Sequence, residues 1–566
     1  MINIFISSIF SSIILLANGI ILEKIIFDKK IQDIDIWETG LFGFVGVGFI
    51  SLILNFFFPI NELLGSIFFI CSLITFIFYF YKLKKKKELI LILCFVTFTS
   101  FILIVNANIN RPDAGLYHLP FVSIVQEYKI ILGLNNLHYR FGHTSLFQYI
   151  SAIYNNHFFK TEFLNFPLAS LFPFFLIFLF NKFLNAFKKK SSIETISIFL
   201  IIIFSLYSFN RYSNYGNDVP ASIFFFILIL NFLSVDNIRK INFREFFNIS
   251  IISIFLFTLK PSMVIVLILP VLLFLFSDKK IKILKNKKSV ILLMLISAWF
   301  LKNILISGCA IYPLKETCFK KLYFYDDNFT NLASSEAEAW AKGYPNSKLK
   351  IDYKEYSSNF NWIRTWSNHH YLKIKEKLLP FLIFIFLIFF KKIINKSFYK
   401  NFNITNILKN KKVIYIIFFS LYCSSIWFLK FPVYRFGISF ISTFIIYLSI
   451  IIFVSDNDIL YKKKFFFYII AFGLILFYAK NLQRILNNYD LDYANSPWPR
   501  IYSIENNDKN NEKKFLKIND KNDNFLFYYS EGDLCMYSRS PCSNYNNKNL
   551  SKKIIGNYYV YYFEKN

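Results

Sequence analysis

The chain has 566 residues, 55% of them hydrophobic and 21% aromatic, with a mean hydropathy of +0.43. That apolar load excludes an ordinary soluble globular protein, and repeated apolar runs of roughly 15 to 25 residues fit bilayer-spanning helices. The formal charge of +29 sits largely in short clusters between those runs, such as "KLKKKK" at 82–87, "KKK" at 188–190 and "DKKIKILKNKK" at 278–288. Basic clusters flanking spans set topology and meet anionic lipid, so the lipid bilayer is the expected partner and nucleic acid is not.

In chain order, the run Ile2–Leu22 lacks a basic leader and a small-residue cleavage site, and reads as a first span rather than a removed signal peptide. About fourteen spans follow from the hydropathy pattern. Their limits are 2–22, 39–58, 61–81, 89–106, 163–186, 192–208, 219–234, 246–259, 261–277, 289–306, 376–390, 413–429, 436–454 and 465–479. The runs 219–234 and 246–259 are short enough to be partly re-entrant. If every basic cluster is cytoplasmic, the loops alternate without contradiction and both termini lie outside. The outside segments are then 107–162, 209–218, 307–375 and the tail 480–566. All six histidines fall in them, and so do four of the seven cysteines.

Those four form two close pairs, Cys309 with Cys318 and Cys535 with Cys542, which on an oxidising face suggest disulfides. Cys71, Cys94 and Cys423 fall in spans and read as small core residues. The expected fold is an all-α polytopic membrane protein with a small C-terminal soluble α/β or α+β domain. Its parts are N-terminal helices at 1–88, a transmembrane core at 89–479 and an extracytoplasmic domain at 480–566. Between 107 and 162, "YHLPFVSIVQEYKIILGLNNLHYRFGHTSLFQYISAI" reads as amphipathic helices lying at the interface.

Charged residues at span ends are the candidate site, because charge at membrane depth is costly and usually lines a cavity. Asp113, in "RPDAGLYHLP", follows a span directly, with Tyr117 and His118 close behind. Asp218 precedes a Pro-containing span start in "NDVPA". Lys260 stands alone in "TLKPS", Lys302 lies where a span emerges, and Arg435 opens a span in "PVYRF". Taken singly, each has a plainer reading: a helix cap for either Asp, snorkelling for Lys260, an interfacial anchor for Arg435. Together they put two carboxylates and three cations on one face. That set suits an anionic lipid-linked donor and a hydroxyl or amine acceptor. The histidine spacing gives no metal motif: His138 and His143 are five apart, and H-E-x-x-H is absent.

The ordered set resembles the GT-C superfamily of integral membrane glycosyltransferases, which includes protein O-mannosyltransferases and aminoarabinose transferases. The likeness runs through Asp113, Asp218, Lys260, the phrase from Trp299 to Pro313, and Arg435, over roughly 89–455. It implies a GT-C-like core at the bacterial inner membrane and an inverting transfer from a polyprenyl-phosphate-sugar. Asp113, His118 and Asp218 would be catalytic, with Lys260, Lys302 and Arg435 on the donor phosphate. Tyr117, Trp340, Trp366 and His369 would hold the acceptor or sugar. The resemblance requires no cofactor and leaves a divalent cation open, since Asp113 lacks the acidic neighbour many members have. The stretches "GLNNLHYRFGH" and "GDLCMYSRSPC" also resemble a bacterial family of multi-pass membrane proteins without an assigned activity. Competing readings are a glycan polymerase or ligase of another fold, a transporter, and a non-catalytic envelope assembly protein.

Overall fold

The computed structural model describes residues 1–27, 30–31, 34–107, 113–210, 215–345, 352–394, 410–454, 463–488, 515–520, 525–530, 534–537, 540–546 and 549–564. The described chain is predominantly helical. Its helices are α1 (Ile2–Phe27), α2 (Ile36–Phe57), α3 (Glu62–Lys82), α4 (Lys86–Ile104), α5 (Leu119–Glu127), α6 (Leu146–Tyr154), α7 (Phe166–Lys188), α8 (Ser192–Ser208), α9 (Asp218–Leu233), α10 (Phe243–Leu259), α11 (Ile268–Phe276), α12 (Lys280–Lys285), α13 (Ser289–Ser307), α14 (Asp327–Ala341), α15 (Tyr353–Ser358), α16 (Trp362–Trp366), α17 (Leu372–Ile394), α18 (Lys411–Lys430), α19 (Tyr434–Phe453) and α20 (Lys463–Asn487).

Among the described residues, nine helices are long and apolar enough to cross a membrane, fewer than the fourteen expected. The shortfall has a physical cause. Helices α8, α9 and α10 have 17, 16 and 17 residues. At 1.5 Å per residue they run roughly 24–26 Å, short of a hydrocarbon core of about 30 Å. They are also buried in protein: Phe225, Phe226 and Leu228 of α9 are 0% exposed. Hydropathy does not separate burial in protein from burial in lipid.

Helices α1 and α2 pack with their backbones in near contact. A Cβ at Gly43 would lie 1.8 Å from the Leu15 carbonyl oxygen, and one at Gly19 would lie 1.8 Å from that of Thr39. Small residues at such a crossing let two helices approach. Gly43→Val is expected to destabilise the protein by about 3 kcal/mol or more through overpacking against a backbone that cannot yield. Gly46→Ala, whose Cβ finds nothing nearer than 3.7 Å, is the neutral control. Unfolding midpoints of the two variants in detergent check this.

The segments 107–162, 307–375 and the tail meet one another. Leu132 pairs with Val560, and its N–H donates to the Tyr559 carbonyl at 2.9 Å. The Asn136 amide donates to the carbonyls of Phe324 and Tyr561 at 2.8 and 3.1 Å. The tail strands are β1 (Phe515–Asn519), β2 (Phe525–Ser530), β3 (Cys542–Ser543), β4 (Leu550–Ile555) and β5 (Tyr558–Phe563). β1 and β2 pair antiparallel, β3 adds parallel to β2, and β4 and β5 form a separate antiparallel hairpin. The tail's opening stretch, 489–514, lies outside the described residues.

Two expectations are corrected here. The 119–154 region does not lie amphipathic at an interface: every residue of α6 is buried, and every residue of α5 except Glu127. Helices α2 and α3 pack against α6, and the tail covers the loop between α5 and α6. Of the span cysteines, only Cys423 is buried, whereas Cys71 and Cys94 are exposed on the helix surfaces.

Candidate functional site

Asp113, Asp218, Lys260 and Arg435 come together although up to 322 residues separate them. Local sequence places each one. Asp113 precedes a wide turn, Ala114–His118, in which the Leu119 N–H reaches back to the Ala114 carbonyl. Pro120, with no N–H and a ring that crowds the preceding turn, favours that widening. Asp218 sits in the first turn of α9, where the helix dipole stabilises a carboxylate. Lys260 caps α10 in an extended conformation, φ −154° and ψ 119°, because Pro261 disfavours helix at the residue before it. The Asn217 amide and the Ser145 hydroxyl both donate to the Leu259 carbonyl, at 2.8 and 2.6 Å, and so hold the end of α10 beside Asp218.

Arg435 enters from the turn between α18 and α19. The Trp427 indole N–H donates to the Val433 carbonyl at 2.8 Å, and the Trp366 indole donates to that of Pro432. A Cβ at Gly437 would meet the Trp427 ring at 2.3 Å, so this position needs glycine for the close approach. Arg435 Nη2 lies 2.8 Å from Asp113 Oδ2, and its Nε lies 3.2 Å from Asp218 Oδ2. Lys260 Nζ binds Asp218 Oδ1 and stands over the Phe436 ring. Side-chain exposure is 34% for Arg435 and 32% for Asp113 but 7% for Lys260. The cluster therefore opens toward Asp113 and Arg435 and closes at Lys260.

A fifth charge was not singled out by sequence. Arg140 Nη1 lies 3.8 Å from Asp113 Oδ1, and its Nε donates to the Tyr139 hydroxyl at 3.1 Å. Tyr139 in turn donates to Glu336 of α14 at 2.8 Å, which ties the 307–375 segment to the cluster. Its only sequence signal is its place in "GLNNLHYRFGH". Three cations against two carboxylates leave the cluster a net +1. Burial acts to raise the Asp113 pKa, but the Arg435 guanidinium outweighs it and holds the carboxyl below its ordinary range.

His118 is buried, and burial pushes its pKa down to about 4 against the pull of Asp113 and Asp218. The Ser145 N–H donates to Gln148 Oε1 at 2.8 Å, which fixes the amide orientation. Gln148 Nε2 therefore donates to His118 Nδ1 at 3.1 Å, and the neutral ring carries its proton on Nε2. His118 thus presents an N–H donor and not a second base. Tyr117 stacks beside it at 4.2 Å between ring centres and lies 5.5 Å from the Arg140 guanidinium. Burial drives the Tyr117 hydroxyl pKa upward, so it too stays protonated.

The remaining candidates are placed differently. Lys302 is 0% exposed, its ammonium donates to the Thr144 hydroxyl, and it faces the Trp299 ring. Among the described residues no carboxylate lies within ion-pair distance of it. Lys302→Met removes a buried charge that has no carboxylate partner, which is stabilising, but takes away the donor to the buried Thr144 hydroxyl, which is destabilising. The two effects oppose each other, and stability is expected to change by less than about 1 kcal/mol; unfolding midpoints test this. Trp366 packs against Phe428 and Trp427 at the base of the Arg435 turn. Trp340 is 43% exposed with its edge against Tyr344, and His369 is exposed. Cys309 is bonded to Cys318, and Cys535 to Cys542. Beside the second pair, the Met536 N–H donates to the Gly115 carbonyl at 2.8 Å, so the tail touches the turn that carries Asp113. Arg111 lies outside the described residues.

Among the described residues, no three His, Cys, Asp or Glu side chains gather to hold a metal ion. Asp113 and Asp218 are turned toward cations instead, so the donor set does not fit a divalent cation. The model of one protein family, described as "Domain of unknown function (DUF8201)", matches residues 1–442. No curated protein and no solved structure matches the chain.

Proposed function

For this chain, which belongs to the DUF8201 family, we propose a GT-C-type glycosyltransferase activity. It moves a sugar from a polyprenyl-phosphate donor to a glycan, lipid or protein acceptor of the cell envelope. The observation that carries this is the convergence of Asp113, Asp218, Lys260, Arg435 and Arg140 into one partly open cluster with a net positive charge. The protein is placed in the bacterial inner membrane, with this cluster and both termini on the extracytoplasmic side. The distribution of basic clusters and the contacts among the three polar segments support that placement.

In the free protein both carboxylates are engaged, because Arg435 bridges them. A carboxylate so paired is a weak base. A donor phosphate entering at the exposed side competes for the Arg435 guanidinium, whose planar fork suits phosphate oxygens. As Arg435 turns to the phosphate, Asp113 loses its nearer partner, keeps only the longer contact with Arg140, and its basicity rises. The acceptor oxygen attacks the anomeric carbon, and the bond from that carbon to the phosphate oxygen breaks with its electron pair on the phosphate. The acceptor proton passes to Asp113. Arg435 stabilises the departing phosphate, while Lys260 keeps Asp218 neutralised and adds positive potential behind it. The His118 Nε2–H and Tyr117 hydroxyl serve as hydrogen-bond donors to the sugar or acceptor.

Binding of a polyprenyl monophosphate, the reaction product, tests the phosphate site without any acceptor. Wild-type protein is expected to bind it on the order of 10-fold or more tighter than Arg435→Gln, as for loss of one charged hydrogen bond. Equal binding by both would remove Arg435 from the phosphate site.

A further inference from the structure

The wide turn Ala114–His118, which follows Asp113 and carries Tyr117 and His118, takes a hydrogen bond from the far end of the chain. Within it the Leu119 N–H reaches the Ala114 carbonyl, five residues back. By the same register the Gly115 carbonyl would fall to residue 120, a proline without an N–H. The Met536 N–H of the tail donates to that carbonyl at 2.8 Å. Gly115 is buried, where a carbonyl without a donor is costly, so this bond ties the turn to the tail.

The glycine is there for the tail and not for the turn. Its backbone is not in the left-handed region. A Cβ at position 115 would lie 2.1 Å from the Met536 sulfur and 3.1 Å from Leu534 Cβ. Glycine within a helical turn is unfavourable relative to alanine, so its presence answers to this close approach. The tail is itself fixed here. The Cys535–Cys542 bond joins residues 534–537 to residues 540–546, and both cysteines are buried. The Tyr537 hydroxyl binds Gln126 Oε1, and Gln126 Nε2 donates to the Ala152 carbonyl at 3.1 Å, which sets the amide's orientation. The Tyr128 hydroxyl donates to the Ser540 carbonyl at 3.3 Å, and the Ser543 hydroxyl to that of Leu137 at 3.1 Å. The tail therefore grips α5 from both ends, at Gly115 on one side and at Gln126 and Tyr128 on the other.

We propose that Met536, held by the Cys535–Cys542 bond, is a positioning residue for the Asp113 turn. It clamps the turn, and thereby fixes where Asp113 meets Arg435 and where Tyr117 and His118 stand for transfer. The role in transfer rests on the reaction proposed above; the clamp does not. Hydrogen–deuterium exchange of the full chain in detergent tests the clamp. With Cys535→Ser and Cys542→Ser together, the amides of 114–121 are expected to exchange about ten-fold faster than in the wild type, as for loss of one hydrogen bond, with α1 and α2 unchanged. Gly115→Ala is expected to do the same by pushing Met536 away. Adding Met536→Ala to Gly115→Ala should return the wild-type rate, because the sulfur is gone and the backbone N–H remains. Should the cysteine variant fail to fold, the Gly115 pair carries the test alone. Unchanged exchange at 114–121 in Gly115→Ala, or no rescue by Met536→Ala, would overturn the clamp. Transfer tests the positioning role: kcat of the cysteine variant should fall on the order of a hundred-fold, as for a misplaced reacting group. Binding of polyprenyl monophosphate should not weaken, since Arg435 enters from a different turn. Faster exchange with unchanged kcat would overturn the positioning role. No transfer by the wild type would instead sink the proposed reaction, and the exchange result would still decide the clamp.

Discussion

Arg435→Gln is expected to abolish transfer to within about a thousandth of the wild-type rate, the scale of losing one preorganised transition-state donor. The same change should lower stability by roughly 1–3 kcal/mol. That is less than for a fully buried ion pair, because Arg435 keeps a third of its side-chain exposure. Both effects share a cause. Arg435 is the only described side chain that contacts both Asp113 and Asp218, and without it Asp113 retains only the 3.8 Å contact with Arg140. The Asp113 pKa should then rise, since its leading depressing influence is gone. Arg435→Lys restores the charge but not the two-sided reach, and is expected to recover stability more than rate. Unfolding midpoints and transfer rates measured on the three proteins separate these effects.

Acid should destabilise the protein from near neutrality downward. Burial holds His118 down to about 4, His138 to about 3 and His143 to about 4, all below the ordinary histidine value near 6.5. The native state therefore keeps these rings neutral where the unfolded chain protonates them. Stability is full above about 6.5 and falls as the pH drops from there toward 4, by up to about 1.4 kcal/mol per pH unit for each ring. The depressed Asp113 pKa acts in the same direction, below the histidine range. Denaturant midpoints at pH 8, 7, 6 and 5 should be level over the first pair and decline over the rest. His143, whose Nε2 has no hydrogen-bond partner among the described residues and whose ring packs on Tyr312, is the residue to replace by Phe. That variant should flatten the decline by one proton, whereas a level profile in the wild type would contradict the buried neutral rings.

Four charged residues of the cluster were legible as isolated charges at the ends of apolar runs. Asp218 and Lys260 were also marked by the prolines beside them, which end or start their helices. Their meeting follows from topology, because residues on one face of a helix array are drawn together wherever the helices pack. Arg140 and Gln148 were not legible. Each lies in the 107–162 segment, whose path depends on burial beneath the tail and against α2 and α3, not on local pattern. Lys302 read as a phosphate ligand by its position at a span end, but its side chain turns inward to Thr144 and Trp299. Among the described residues nine helices are long and apolar enough to cross a membrane, where the hydropathy pattern gives fourteen runs; α8, α9 and α10 are equally apolar but only 16 or 17 residues long.

The proposed mechanism stands most directly on sugar transfer by purified, detergent-solubilised protein from a panel of polyprenyl-phosphate sugars, wild type beside Asp113→Asn. Asn keeps the shape and a contact for Arg435 but cannot take the acceptor proton. Transfer from one donor in the wild type, reduced on the order of a thousand-fold in Asp113→Asn, is the predicted result. Transfer at the same rate by both proteins, or none from any donor, would contradict it and leave the cluster as a structural ion network.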